Sequence, residues 1–80
     1  MRTIINNGHK IEIKSFGTEK IYYDSQLVSS KNSILGATHV FQVNEENEEV
    51  QYEVRIGTRW HGLGFWVEAR RRGQLIYTDR

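Results

Sequence analysis

The side chains able to do chemistry in this sequence fall into three groups, and two of them lack the spacing that chemistry needs. His9, His39 and His61 would have to be brought together by the fold to hold a metal. No two of them are close enough in sequence to share a strand face, so structural or solvent-facing roles are expected, with no metal and no cofactor. Ser25, Ser29, Ser30 and Ser33 would need a neighbouring base, itself oriented by a third group, to act as nucleophiles. They sit in turn-like contexts where hydrogen bonding to the local backbone accounts for them. Gly57, Gly62 and Gly64 are not followed by the helix that a phosphate-binding loop requires. An enzyme is not expected.

The third group is concentrated. Residues 59–66 read RWHGLGFW and residues 70–72 read RRR. Arg59, Trp60, His61, Trp66, Arg70, Arg71 and Arg72 are therefore the candidate binding residues, because aromatic and arginine side chains displayed by a glycine-hinged connection are enriched at contact surfaces. Two classes of partner fit. One is a protein, or a second copy of the chain, held through these side chains with an edge strand adding main-chain pairing. The other is single-stranded nucleic acid, with Arg55, Arg59 and Arg70 to Arg72 on phosphates and Trp60 or Trp66 stacking on bases. A structural reading stands beside both: either tryptophan can cap the end of a small β core. Strand alternation places Trp66 on the face opposite Phe65 and Val67, beside Glu68 and Arg70.

Composition limits these readings. Eighty residues make one domain, and the 38% hydrophobic content is enough for a core. The absence of cysteine removes disulfides and thiolate metal sites. A net charge of +1 creates no global field to recruit nucleic acid or membrane, although residues 45–49 (EENEE) and the RRR run are local clusters expected on solvent. No apolar run suits a signal peptide or a spanning helix, so a cytoplasmic protein without membrane contact is expected.

The elements that must position these residues are strands. Ile11 and Ile13 alternate with Lys10, Glu12 and Lys14; Val50, Tyr52, Val54 and Ile56 alternate with Gln51, Glu53 and Arg55. His39, Phe41 and Val43 make a third set, and Phe65, Val67 and Ala69 a fourth. Residues 20–24 and 26–30 flank Asp24-Ser25 as a hairpin, and residues 65–70 and 74–78 flank a turn containing Gly73. The stretch 29–36 (SSKNSILG) reads as a turn or short helix.

The chain also resembles itself. Residues 11–30 and 52–79 each open on an apolar-Glu-apolar-basic strand and reach Gly-Thr. Each then passes through an aromatic-bearing strand and a polar turn to Gln-Leu-aliphatic, at Gln26-Leu27-Val28 and Gln74-Leu75-Ile76. With a short strand before each copy, this predicts an all-β antiparallel sandwich of about eight strands in two similar four-strand halves. The expected interior is Ile11, Ile13, Ile21, Leu27, Phe41, Val43, Tyr52, Val54, Ile56, Phe65, Val67 and Leu75.

The run Gly17-Thr18, then Lys20 to Val28 (KIYYDSQLV), a Ser-Lys segment, Gly36 and Thr38-His39-Val40-Phe41-Gln42-Val43 resembles the C-terminal domain of Fas apoptotic inhibitory molecule, and the closing hairpin around Gly73-Gln74-Leu75 fits its end. The resemblance spans most of the chain. It implies two antiparallel sheets packed face to face and carries over no active site. Ser25 stands where glycine is usual in that domain, and residues 60–66 have no counterpart in it.

Overall fold

The computed structural model describes residues 1–32, 36–59 and 64–80, the Phe16 side chain aside. The period-two pattern is realised in eight strands: β1 (Arg2–Asn6), β2 (His9–Phe16), β3 (Thr18–Tyr23), β4 (Gln26–Asn32), β5 (Gly36–Glu45), β6 (Glu48–Thr58), β7 (Phe65–Arg71) and β8 (Gln74–Thr78). They form two antiparallel four-stranded meanders, β1-β2-β3-β4 and β5-β6-β7-β8. Ile4, Ile11, Ile13, Ile21 and Tyr23 of the first sheet meet Phe41, Val50, Tyr52, Val54, Ile56, Val67 and Ala69 of the second. Each fully buried Ile or Val contributes about 1.5–3 kcal/mol of hydrophobic stabilisation. The stretch 29–36 is not a helix or turn throughout: residues 29–32 complete β4 and Gly36 opens β5.

Four connections are two-residue turns, Asn7-Gly8, Asp24-Ser25, Glu46-Asn47 and Arg72-Gly73, and all eight of their residues have positive φ, from 47° to 82°. That pair of conformations is the type I′ signature, whose twist matches the flanking strands. In a four-stranded meander the first and third turns share an end. The Tyr23 to Glu45 hydrogen bond brings the turn ends of the two sheets together, so all four turns gather at one end of the sandwich.

The two halves correspond in ladder detail. Tyr23 pairs with Ile11 as Arg71 pairs with Tyr52, and Ile4 pairs with Ile11 as Phe41 pairs with Tyr52. Each half is also bulged at the same place, between Ile21 and Tyr22 and between Ala69 and Arg70, leaving Val28 and Ile76 as the extra residues. The bulges correct the expected interior. A bulge turns the residues beyond it to the other face, so Leu27 and Leu75 are exposed (54% and 49%) while Val28 and Ile76 pack on the core. Val43 and Phe65 are half-buried. Ile4, Tyr23, Val50 and Ala69 complete the interior.

The halves differ at the β2–β3 and β6–β7 connections, one residue in the first half against residues 59–64 in the second, and at the β1–β2 and β5–β6 hairpins. β5 and β6 continue past the position matching Asn6 and His9 to the pair Glu45 and Glu48, which projects Glu45 beyond the equivalent end of β1. The expectation that residues 45–49 all face solvent fails there, since Glu45 is buried (7% exposed).

Candidate functional site

Trp60 and His61 lie outside the described residues. The other candidate residues do not form one patch. Trp66 lies on the outer face of the second sheet, as alternation predicts, with its indole laid over its cross-strand partner Gly57 and the Arg80 guanidinium 4.6 Å from its ring. A Cβ at position 57 would overlap the indole. Gly57→Ala is therefore expected to displace Trp66, red-shifting its fluorescence and costing about 1–3 kcal/mol in denaturant unfolding, as overpacking does.

Alternation along β7 divides the arginine run. Arg70 faces outward beside Glu68 (3.3 Å), Arg71 turns inward to Glu45 (2.7 Å), and Arg72 sits in the turn against Glu48 (2.7 Å). Arg59 reaches the Asp79 carbonyl (2.9 Å), and Arg55 lies 3.7 Å from Glu68. Every arginine invoked for phosphate binding thus already faces a carboxylate or carbonyl, so the geometry does not favour the nucleic-acid reading. Such a reading needs cations whose neutralisation awaits the phosphates.

At the turn end, Glu45 gathers donors from both sheets. Its Oε2 accepts from Tyr23 (2.5 Å) and from Tyr52, and its Oε1 accepts from Arg71 Nη2. Burial alone would raise this carboxyl, but the hydrogen bonds from Tyr23, Tyr52 and Arg71 outweigh it and hold it down at about 2. Burial and the Glu45 bond push Tyr23 up in turn. Beside this cluster His9 stacks on Tyr23 (5.2 Å between centroids), and its Nδ1 lies 2.7 Å from Asp24, whose other oxygen accepts the Lys10 amide. The bond to Asp24 raises the His9 pKa. A cleft of about 360 Å³ opens here, lined among others by His9, Glu45, Glu46, Glu48, Arg71 and Arg72. Most of its charges are already matched within the protein, so the cleft is a polar recess. Among the described residues no group of three or more acidic or histidine side chains is placed to hold a metal.

A second polar cluster was not legible as a unit in the sequence. His39, fully buried, places Nδ1 2.6 Å from Ser29 Oγ and Nε2 2.9 Å from Glu19, itself 2% exposed. A serine, an imidazole and a carboxylate in line are the parts of a nucleophilic triad. Here they span the two sheets inside the core, and the pseudo-equivalent positions carry the same kind of bridge. The ladders match His39 to Arg2 and Ser29 to Tyr77, and Arg2 bonds Asp79 (2.5 Å) and the Phe65 carbonyl (2.8 Å), while Tyr77 bonds Asp79 (2.8 Å). Each half's first strand thus reaches across to the other half's last hairpin. These are inter-sheet clasps.

The remaining feature with binding geometry is an edge. Among the described residues β5 forms a strand ladder only with β6, and its ten residues run in that ladder in continuous register without a bulge. Its outward side chains, Thr38, Val40, Gln42 and Asn44, are exposed and uncharged, and Val40 is 53% exposed. Natural edges are protected by charge, proline or bulges. β4 and β8 carry bulges, β4 also carries Lys31, and β1 is five residues long. No family model matches the chain, and neither a curated protein nor a solved structure is significantly similar to it.

Proposed function

We propose that this chain is a non-enzymatic interaction module that binds an extended segment of a protein partner by adding it as a strand to the free edge of β5. The observation that carries the reading is the long edge of β5, in unbroken register and with uncharged outward side chains of its own. Val40 is exposed at its centre and, among the described residues, Lys31 of the other sheet reaches only the Thr38 carbonyl. In strand addition, main-chain hydrogen bonds supply affinity and alternate side chains supply selectivity.

The test is an amide-resolved NMR titration with a capped synthetic peptide of alternating threonine and valine. Shifts are expected to centre on Thr38, Val40 and Gln42. Val40→Lys should weaken the peptide at least about tenfold, about 1.4 kcal/mol, because it puts a charge at the seam. The folded chain tolerates this variant, since Val40 is exposed and its cross-strand neighbour is Glu53. Shifts confined to the turn-end cleft, or none, would remove the proposal.

A further inference from the structure

We infer that the occupant of this edge is the β5 strand of a second copy of the chain, antiparallel about a twofold axis with Val40 opposite Val40. The inference rests on the strand-addition reading and names its partner. The register comes from backbone geometry. A two-residue hairpin closes on a hydrogen-bonded pair, here Glu45 and Glu48, so the odd-numbered residues of β5 direct their main-chain groups to β6. The even-numbered ones, Thr38, Val40 and Gln42, direct theirs outward. Lys31 Nζ donating to the Thr38 carbonyl at 2.7 Å from the other sheet supports that direction independently.

Two outward-directed residues must face each other in the new ladder, so the sum of paired numbers is even. A sum of 80 places Val40 on Val40 and Thr38 on Gln42 of the other copy, on the outer face. Phe41 then meets His39, and Val43 meets Ala37, on the inner face. Val43 and Ala37 are each half-buried in a single copy, and this register covers both. No charged residue is opposed to another anywhere in it, which matters because like charges directly opposite in a ladder are destabilising. A sum of 82 would set Glu45 against Ala37 and move the exposed valine off the axis. The other edges offer less: two are bulged, and β1 presents only Thr3 and Ile5 outward. The product is one continuous eight-stranded sheet formed by two second-half sheets, a self-complementary closed dimer.

Lys31 is the guard of this edge. It covers the Thr38 carbonyl that the second copy would use, so its removal should strengthen pairing while Val40→Lys weakens it. Sedimentation velocity over a concentration series is expected to show a monomer-dimer equilibrium. Its dissociation constant should fall several-fold in Lys31→Ala and rise at least about tenfold in Val40→Lys, with circular dichroism confirming that both variants are folded. Because the chain has no cysteine, Val40→Cys gives a single reactive site that a short bismaleimide should link efficiently between copies, whereas Thr3→Cys should not. A chain that stays monomeric at every concentration while the threonine-valine peptide still shifts the β5 amides overturns self-pairing and leaves strand addition standing. A dimer that is indifferent to Val40→Lys, or that Val40→Cys does not cross-link, overturns the register and the partner. Monomer behaviour without peptide binding overturns both.

Discussion

Replacing Glu45 with alanine is expected to lower folding stability by about 3–5 kcal/mol, the cost of breaking a buried charged pair by removing one partner. A domain of this size has about 4–12 kcal/mol in total, so the variant should be partly unfolded or close to it. The loss has a physical source in each donor left behind: the hydroxyls of Tyr23 and Tyr52 and the inward-facing Arg71 guanidinium would all lose their acceptor. Glu45→Gln keeps shape and an acceptor oxygen but not the charge, and an intermediate loss is expected.

The pH dependence has a definite sign. Because the Glu45 carboxyl is depressed from 4.5 to about 2 by folding, its contribution is fully present above pH 4.5 and lost as pH falls through that window toward 2. A shift of that size corresponds to about 3 kcal/mol. Asp24, held down by His9 and the Lys10 amide, titrates in the same direction. So does Asp79, which burial would raise but which Arg2, the Val67 amide and Tyr77 hold down. The diagnostic is therefore a difference: urea unfolding of the wild type minus Glu45→Gln should shrink as pH drops from 5 to 2. A constant difference would mean that the charge is not what the site stabilises.

The second large effect is expected at the His39 clasp. His39→Ala should cost about 3–5 kcal/mol, because it leaves Glu19 buried without its imidazole partner and opens a void between the sheets. At about 4–8 °C per kcal/mol for a domain of this length, the melting temperature should fall by more than about 12 °C. A double-mutant cycle separates the hydrogen bond from packing. Glu19→Leu combined with His39→Leu should lose less than the sum of the single changes, since a buried hydrogen-bonded pair replaced on both sides by apolar side chains is often nearly neutral. Additive losses would show that the two residues do not act as a pair. Ser29→Ala, which removes only the half-buried hydroxyl of this cluster, should cost about 1 kcal/mol.

The eight-strand, two-meander plan was already present in the order of residues along the chain. Period-two alternation needs only local backbone geometry, and the four turns carry residues that accept positive φ or sit where the flanking twist imposes it. The likeness of the halves was legible at Gln-Leu, and the matching bulges agree with it. Gly-Thr was a false landmark, since Gly57 pairs with Trp66 within the ladder as Phe16 pairs with Thr18, while Gly17 lies between the strands. The outward placement of Trp66 came from parity alone. Parity also held the clue to Glu45, which continues the inward series His39, Phe41, Val43, although nothing local said that a carboxylate there would be buried rather than solvated.

The remaining features depend on register and on the approach of the two sheets. A one-residue bulge reversed Leu27 and Leu75 without altering the composition of either strand, because a period of two turns any insertion into a change of face. The arginine run looked like a single basic patch in the chain, yet successive strand residues point to opposite faces, so it was distributed to an outer face, a buried carboxylate and a turn. Glu19, Ser29 and His39 come from three strands and two sheets, and their meeting is a consequence of packing that no spacing encodes. The edge of β5 belongs to the same class. Its residues are ordinary for a strand, and only their position at the margin of a sheet, with no further strand paired to them among the described residues, sets them apart.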